Sequence, residues 1–195
     1  MEQKLEQQRL EMWKRYIKDA PLQEIEQIPW EEVIEGKGFR LQQQIIGKGK
    51  YSEVVKARNK VTDTVVCCKI FRKSVAPEFI FERRLVTILQ LLRHPSLLKI
   101  YKCFQTVERL YMFMEFGANG NLNDFVSQYG VMAERRALQI AKEVAIGIHY
   151  LHDRAIAHRR MNIFNVFLDN SMKVKIGGLE YFQEVFDITH KDQVT

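Results

Sequence analysis

The stretch that decides the fold is Tyr150–Glu180, which reads YLHDRAIAHRRMNIFNVFLDNSMKVKIGGLE. It begins as the end of a helix, because apolar residues recur at helical spacing at Ile140, Val144, Ile148 and Leu151. A basic turn follows at His158–Arg160. Two short apolar runs, Val166–Leu168 and Val174–Ile176, then flank the turn signal Asp169–Ser171 and predict a hairpin. Helix, polar loop and hairpin in this order predict a scaffold for a functional site.

The loop and hairpin resemble the catalytic loop of the protein kinases, whose signatures are H-R-D-L-K-x-x-N and D-F-G. The corresponding residues here are His158-Arg159-Arg160-Met161-Asn162-Ile163-Phe164-Asn165 and Gly178-Leu179-Glu180. The resemblance places Arg160 at the catalytic aspartate and Asn162 at the lysine that faces the transferred phosphate. Gly178 stands at the aspartate that holds magnesium, and Asn165 keeps the family's asparagine.

An upstream segment resembles the kinase glycine-rich loop G-x-G-x-x-G-x-V. Its positions are occupied by Gly47, Gly49, Ser52 and Val54, with Ser52 in place of the third glycine. Glycines let a backbone approach phosphates closely, and a serine still fits a tight turn. A two-glycine turn between strands is common, so the resemblance at this motif depends on the strand that follows it.

That next apolar strand, Val65–Ile70, carries a single lysine, Lys69. Such a lysine is costly unless it faces a polar cleft, or lies on an edge strand where its ammonium reaches water. The resemblance implies the cleft: Lys69 matches the V-A-I-K lysine that grips the first two phosphates of ATP, and Cys67 lies in the same nucleotide-binding strand.

The helix after this strand is predicted to open at Ala76-Pro77-Glu78, because proline suits a first helical turn. Its apolar stripe is Leu85, Ile88, Leu89 and Leu92. The family's glutamate partner of the lysine is replaced by Leu85, and Glu82 reaches Lys69 only if the helix shifts. The sequence Ala76-Pro77-Glu78-Phe79 resembles the corresponding segment of the testis-specific serine kinases.

The resemblance implies further nucleotide contacts from the hinge, Glu115 to Gly120, whose backbone would meet adenine. Met114 would bound the back of the pocket, Gly117 lies within the hinge, and Asn121 replaces an acidic residue that many kinases use on the ribose. Phe167 stands under the adenine, where the family has a smaller aliphatic residue. Its extra bulk is expected to fill part of the nucleotide pocket.

Composition is typical of a cytoplasmic globular domain. The 195 residues are 46% hydrophobic and 28% charged, and no apolar run approaches the length of a membrane span. The three cysteines provide neither a disulfide framework nor metal-ligand spacing. Residues 1–38 carry a net charge of −3 and the remainder +9. We see no Arg-rich tract or interleaved aromatics that would favour nucleic acid, and acidic peptide partners or the chain's own acidic arm explain this charge as well.

The predicted organisation has three parts: an N-terminal helical arm with its linker (1–38), a kinase-like N-lobe (39–115) and a partial C-lobe (116–195). The arm, about Lys4 to Lys18, carries an apolar stripe of Leu5, Leu10, Trp13 and Ile17. It either packs on the neighbouring lobe or is offered to a partner protein. Pro21 is expected to end the helix, and Pro29 with Gly36–Gly38 to mark the linker.

The expected fold is therefore α+β and two-lobed: an antiparallel sheet with one helix, plus the upper part of a helical lobe that stops inside the activation segment. The expected function is a pseudokinase, meaning a binding or scaffolding module without phosphotransfer, because arginine cannot accept a proton and Gly178 offers magnesium no oxygen. ATP is the candidate ligand, and metal-free nucleotide binding through Arg160 and Asn165 stays open. The alternatives are an active Ser/Thr kinase with unusual residues and a basic-surface nucleic-acid binder.

Overall fold

The computed structural model of this chain describes residues 2–19, 25–26 and 30–185. Pro21, Pro29 and residues 186–195, on which the arm's end, the start of the linker and the end of the chain depended, lie outside this range. The chain divides into two compact units. The sheet unit comprises residues 21–93 and 98–116, and the helical unit comprises residues 1–20, 94–97 and 117–195.

The described elements are short strands and helices in an α+β order. The helices are α1 (Glu2–Asp19), α2 (Trp30–Gly36), α3 (Arg83–Leu91), α4 (Leu122–Tyr129) and α5 (Glu134–His152). The strands are β1 (Ile25–Glu26), β2 (Phe39–Lys48), β3 (Ser52–Asn59), β4 (Val65–Arg72), β5 (Ile100–Thr106), β6 (Arg109–Glu115), β7 (Ile156–Ala157), β8 (Val166–Leu168), β9 (Val174–Ile176) and β10 (Gln183–Glu184).

The sheet unit is built on six strands in the order β1-β5-β6-β4-β3-β2. The pairs are antiparallel except for β1 with β5, which is parallel. Aromatic side chains form much of its core: the rings of Phe39 and Phe113 stack with centroids 4.1 Å apart, and those of Phe104 and Tyr111 with centroids 5.0 Å apart. Burying each such ring contributes about 1.5–3 kcal/mol, so this cluster holds the strands in register.

The segment before β2 differs from the expected linker. Residues 30–36 form α2, which contacts β2 and buries Ile34 in the aromatic core. Gly38 then takes a φ of +83°, and its N–H donates to the Glu35 carbonyl at 3.0 Å. The glycines therefore end a docked helix. The sequence did not indicate α2, because a seven-residue helix carries too few apolar repeats to show a period.

The helix after β4 also begins later than expected. A 3-10 turn spans Glu78–Phe81, Glu82 is extended, and α3 starts at Arg83. The Phe81 carbonyl accepts a hydrogen bond from Gln105 Nε2 on β5 at 2.9 Å, so the turn is tied to the sheet instead of continuing the helix. The predicted stripe is confirmed, since all four of its members are buried: Leu85, Ile88, Leu89 and Leu92.

The helical unit places α5 directly beside the predicted hairpin, which is confirmed as β8 and β9. Gly147 of α5 permits this approach, because a Cβ there would lie 2.7 Å from Ile176 Cδ1. Asp169 organises the hairpin turn by accepting the backbone N–H groups of Ser171 and Lys173. The Glu143 carboxylate on α5 accepts the N–H of Val174 at 2.8 Å.

The arm is confirmed as a helix, α1, and it groups with the helical unit. The guanidinium carbon of Arg154 lies 5.4 Å from the Trp13 ring and 3.7 Å from the Tyr150 ring. This contact favours the packed interpretation of the arm, while a role in binding a partner stays a prediction. The side chains of Leu5 and Ile17 lie outside the described residues. Among the helices that are described, none is both long and apolar enough to cross a bilayer.

Candidate functional site

A buried histidine, His158, holds the basic turn at His158–Arg160 in the helical unit. Its Nδ1 accepts the N–H of Arg160 at 3.2 Å, so Nε2 carries the proton and donates to the Gly177 carbonyl at 2.8 Å. Burial lowers the pKa of His158, while the Gly177 hydrogen bond and the charge of Glu180 raise it less. A neutral imidazole therefore ties this loop to the segment after β9.

Arg160 stands where the resemblance expects the proton acceptor. Its guanidinium carbon lies 4.1 Å from the centroid of the Tyr181 ring, which is a cation–π contact. The preceding Arg159 has a φ of +63°, an uncommon left-handed conformation for a residue with a side chain. Because arginine stays charged at any working pH, this position presents a fixed cation and no base.

Asn162, expected to replace the phosphate-facing lysine, is a helix cap. Its Oδ1 accepts the backbone N–H groups of Phe164 at 3.0 Å and Asn165 at 3.2 Å, which begin a 3-10 turn at Ile163–Asn165. Asparagine suits this role because its short side chain reaches orphan N–H groups at a helix start. The side-chain oxygen is therefore engaged by the loop's own backbone.

Gly178 and Asn165 fit tightly against each other. Gly178 is left-handed, with a φ of +74°, and a Cβ at this position would lie 2.6 Å from Asn165 Cγ. Asn165 Nδ2 donates to the Arg160 carbonyl at 2.7 Å, and the Asn165 carbonyl accepts the Gly177 N–H at 2.8 Å. A side chain at position 178 would therefore meet the Asn165 amide. The residues of this loop do not fit a magnesium ion, which prefers carboxylate oxygens.

Phe167 lies against Gly117, since a Cβ on that glycine would come within 3.0 Å of Phe167 Cβ and Cδ1. Phe167 therefore packs beside the hinge backbone at Gly117, and its filling of part of a nucleotide pocket stays a prediction. Asn121, which forms a bridge to Phe167, caps α4 by accepting the Asp124 N–H at 2.9 Å. A ribose hydroxyl would therefore compete with the helix cap for the Asn121 oxygen.

In the sheet unit, the glycine-rich loop forms a tight turn between β2 and β3. Gly47 pairs with Val54, and the Gly49 N–H donates to the Ser52 carbonyl at 2.7 Å. Ser52 is buried, and its Oγ would lie 3.1 Å from a Cβ on Gly49. The serine thus fits the turn, as the sequence predicted.

Lys69 lies on a central strand. Its strand β4 has β3 on one side and β6 on the other, with Lys69 opposite Val54 and Met112. The alternative of an edge-strand lysine is therefore wrong. The side chain is half-buried, with Nζ 5.3 Å from the Phe71 ring centroid.

Cys67 and Met114 face each other across β4 and β6. The Cys67 thiol donates to the Glu115 carbonyl at 3.4 Å and lies 3.7 Å from the Met114 carbonyl. Burial raises the pKa of Cys67 to about 12, so the thiol stays protonated. Glu115 is further held by Lys99, whose N–H donates to Glu115 Oε2 at 3.1 Å. A hinge carbonyl that adenine would use thus already has a thiol donor.

Sequence reasoning missed two neighbours of these loops, Glu180 and Tyr181. Glu180 is 2% exposed although it carries a carboxylate, and Tyr181 provides the ring under Arg160. An acidic residue beside a leucine in Gly178-Leu179-Glu180 was a visible departure from D-F-G. Its burial was not visible, because it depends on residues from separate elements.

Comparison with known proteins identifies the family. Residues 40–184 match the family model described as "Protein kinase domain". The chain is 33% identical over 146 residues to the mouse serine/threonine-protein kinase SIK1, and 28% identical over 137 residues to the human NUAK family SNF1-like kinase 1. These matches cover 74% and 69% of this chain, and the chain spans only about a fifth (19% and 21%) of the relatives' length.

A solved structure shares the fold. The crystal structure of Rad53 1-466 in complex with AMP-PNP superposes with a TM-score of 0.66 at 29% identity, covering 73% of this chain and 38% of the Rad53 chain. The family match spans most of the chain, and the glycine turn and the central lysine of the sheet lie within it. This chain therefore belongs to the protein kinase family and has a kinase fold.

Proposed function

We propose that this chain is a pseudokinase domain, a regulatory or scaffolding module of the kinase fold that does not transfer phosphate. The observation that carries the proposal is the loop at Arg160–Asn165 together with Gly178. The position of the proton acceptor holds a cation stacked on Tyr181, and the position of the metal ligand is a glycine packed against Asn165. Losing general-base assistance alone costs about 10²–10⁴ in rate.

Nucleotide binding without magnesium is part of this proposal. In the sheet unit the residues present fit a phosphate chain: the Gly47–Gly49 backbone would approach it, and Lys69 would offer its ammonium. The Rad53 structure holds AMP-PNP, which supports ATP as the nucleotide class. One feature of the sheet unit would weaken the affinity, because the Cys67 thiol donates to the Glu115 carbonyl.

We further propose that the domain acts in the cytoplasm on protein partners. The support is compositional: three reduced, buried cysteines fit a reducing compartment, and the net charge of +6 fits acidic protein surfaces. The domain would then act by binding protein partners and would not transfer phosphate.

A phosphotransfer assay tests the main claim. The purified chain is incubated with radiolabelled ATP, magnesium or manganese, and a generic Ser/Thr substrate. We expect no incorporation above that of the Lys69→Ala variant. Incorporation that disappears in Lys69→Ala and persists in Lys102→Ala, an exposed lysine of the same sheet, would overturn the proposal.

A thermal-shift titration tests nucleotide binding. At a nucleotide concentration ten times Kd, binding adds about 1.4 kcal/mol, or about 3–6 °C in Tm for a domain of this size. We expect a shift with AMP-PNP that is equal with and without magnesium and is lost in Lys69→Ala. A shift that requires magnesium would contradict the metal-free form of the proposal.

The second candidate is an active Ser/Thr kinase with unusual catalytic residues. The observation that favours it is the retained Lys69 on its central strand, together with kinase relatives of the Ser/Thr type. This candidate requires another carboxylate to accept the substrate proton. A magnesium-dependent rate that falls sharply in Glu180→Gln but not in Glu184→Gln would support it.

A further inference from the structure

The sheet unit has a basic strand end that the proposed nucleotide binding does not use. Strand β4 ends at Arg72, which lies directly opposite Arg109, the first residue of β6. Like charges that face each other on neighbouring strands are unfavourable. The register therefore sets two cationic residues side by side, in a place where an added negative charge would relieve their repulsion.

The acidic partner that Arg72 already has is weakly held. The Arg72 guanidinium lies 3.4 Å from the Glu53 carboxylate on β3, and the two side chains are 60% and 39% exposed. An exposed ion pair contributes little stability, because water screens its charges. A phosphate monoester carries more charge than a carboxylate, and arginine binds it through two parallel N–H bonds. A phosphate placed at this strand end would therefore displace Glu53 from Arg72.

A serine hydroxyl follows this strand end directly. Residues 73–75 form a turn, in which the Arg72 carbonyl accepts the N–H groups of Val75 at 3.3 Å and Ala76 at 3.1 Å. Ser74 lies inside this turn, and its side chain is exposed. A turn of this kind brings the chain back towards its first residue, so a group attached to Ser74 stays close to Arg72.

A second hydrogen bond ties the turn to the other arginine. The Lys73 N–H donates to the Glu108 carbonyl at 2.9 Å, and Glu108 directly precedes Arg109. The backbone beside Ser74 is therefore attached to both strands that carry the opposed arginines. The three segments form one corner of the sheet unit through printed register and hydrogen bonds, and the serine stands on it.

The local sequence places two cations immediately before the hydroxyl, as Arg72-Lys73-Ser74. Protein kinases discriminate between substrates partly by charge, so an acidic substrate cleft favours a serine that follows basic residues. Ser171 offers a matched comparison, because it is also exposed and also lies in a turn, yet it follows Asp169-Asn170. The two serines therefore differ chiefly in the charge of the residues before them.

We propose that Ser74 is a phosphorylation site for a separate protein kinase that prefers basic substrates, and that Arg72 and Arg109 bind the attached phosphate. In the transfer the γ-phosphoryl group leaves ATP and forms an ester with Ser74 Oγ, while the hydroxyl proton is released and ADP departs. The product carries a charge of about −1.5 to −2 at pH 7. It neutralises the opposed arginines and fastens the turn to the strand ends, so phosphorylation stabilises the chain. The site acts whether or not the chain binds nucleotide.

Phosphorylation in vitro tests the site. The full chain is incubated with ATP, magnesium and the catalytic domain of a kinase that prefers arginine before serine, and mass spectrometry follows each serine over time. A reaction without the added kinase sets the background. We expect the initial rate at Ser74 to exceed that at Ser171 by at least about tenfold. Equal rates at the two serines, or no phosphate on Ser74, would overturn the proposal.

Matched variants test how the serine is recognised. Arg72→Gln should lower the rate at Ser74 by about tenfold, because it removes a charge two residues before the hydroxyl. Arg58→Gln should leave the rate unchanged, since Arg58 is a β3 arginine paired with Asp63 at 2.9 Å. The Tm of each unmodified variant shows whether it folds, and Lys73→Gln replaces Arg72→Gln if that variant does not. An unchanged rate in the folded variant would overturn the proposal.

Thermal denaturation tests the binding of the attached phosphate. We expect phosphorylation of Ser74 to raise the Tm by about 2–4 °C. Arg109→Gln should keep the rate of phosphorylation, because Arg109 is distant from Ser74 in sequence, and should lose at least about half of the rise in Tm. Lys102→Gln, at an exposed lysine of β5, should keep the full rise. A Tm that does not rise in the wild type, or a full rise in Arg109→Gln, would overturn the proposal.

Free phosphate is the other source of the same chemistry, and it has its own readout. Inorganic phosphate is added to the unmodified chain and to Ser74→Ala at matched ionic strength. We expect a smaller rise in Tm than phosphorylation gives, because a covalently attached group has a high effective concentration at the arginines. A rise from free phosphate that equals the rise on phosphorylation, in both chains, would assign the arginines to a free anion and overturn the proposal.

Discussion

At the scale of single residues, close contacts surround the positions where the resemblance expects catalytic groups. Gly178 leaves room that the Asn165 amide fills, and Arg160 has an aromatic support in Tyr181. A side chain restored at position 178 would therefore meet the Asn165 amide. The proposed lack of phosphotransfer then depends on a set of contacts and on more than one missing group.

The fit between Gly178 and Asn165 makes a stability prediction. Gly178→Ala must adopt a left-handed φ and place a Cβ 2.6 Å from Asn165 Cγ. Gly38→Ala is the matched control, because Gly38 has a φ of +83° with nothing within 4 Å of its Cβ position. We expect Gly178→Ala to lower the free energy of unfolding by about 1–3 kcal/mol more than Gly38→Ala, measured by urea denaturation.

The same contact bears on attempts to restore the carboxylate. Gly178→Asp should cost at least as much as Gly178→Ala and should not produce magnesium-dependent phosphotransfer, even together with Arg160→Asp. If Gly178→Ala and Gly38→Ala lower the free energy of unfolding equally, the Asn165 side chain moves aside at little cost. The prediction of a steric clash at position 178 would then be wrong.

The buried His158 predicts how stability responds to acid. Burial depresses its pKa in the folded chain below the ordinary value of about 6.5, so the unfolded chain binds a proton first as pH falls. Its contribution to stability is present above about pH 6.5 and is lost as pH drops through the folded pKa, with a limiting slope of about 1.4 kcal/mol per pH unit. His158→Asn should flatten the decline in unfolding free energy between pH 7 and 5.

His152→Asn provides the control, because His152 is an exposed residue at the end of α5. The control should keep the wild-type slope. His94, whose pKa burial also lowers, contributes to the decline that remains in His158→Asn. If the unfolding free energy of the two variants depends on pH with the same slope, protonation of His158 does not lower the stability of the folded chain.

At the scale of elements, short polar side chains decide where helices and turns begin. Asn121 caps α4, and Asn162 caps the turn that carries the exposed Ile163 and Phe164. The Phe81 carbonyl bonds to Gln105 and ends the 3-10 turn before α3. These caps position the candidate site because each fixes the direction in which a loop leaves its helix.

Asn162 supplies an element-scale prediction. Asn162→Ala removes the acceptor for two backbone N–H groups and should lower the free energy of unfolding by about 1 kcal/mol. Asn162→Asp keeps the acceptor and should remain near wild type. Asn162→Lys, which restores the family's lysine, should behave like Asn162→Ala and gain no phosphotransfer activity. Thermal denaturation ranks the three variants, and a destabilised Asn162→Asp would contradict the capping role.

At the scale of the whole molecule, the buried thiols predict a loss of stability at alkaline pH. Burial raises the pKa of Cys67 to about 12 and that of Cys68 well above its ordinary value. An unfolded thiol ionises near pH 8.5, so the folded state loses stability as pH rises above about 9. Cys67→Ala should reduce the fall in Tm between pH 9 and 10.5. A fall as steep as that of wild type would place the alkaline limit elsewhere.

The sequence by itself determined the family and the hairpin, and it predicted the replaced catalytic positions. Apolar periodicity marked the stripe at Leu85–Leu92, and the spacing from His158 to Gly178 identified the loop, because both signals are local along the chain. Ser52 in the glycine turn was likewise readable, since a tight turn accepts few side chains.

Only the tertiary structure decided what those positions do. It placed Lys69 on a central strand, docked α2 where a linker was expected, stacked Arg160 on Tyr181 and filled the space beside Gly178 with Asn165. Each of these facts joins residues that are separated along the chain. Burial, cation–π contact and steric exclusion depend on distances in space, and a linear pattern of residue types does not contain those distances.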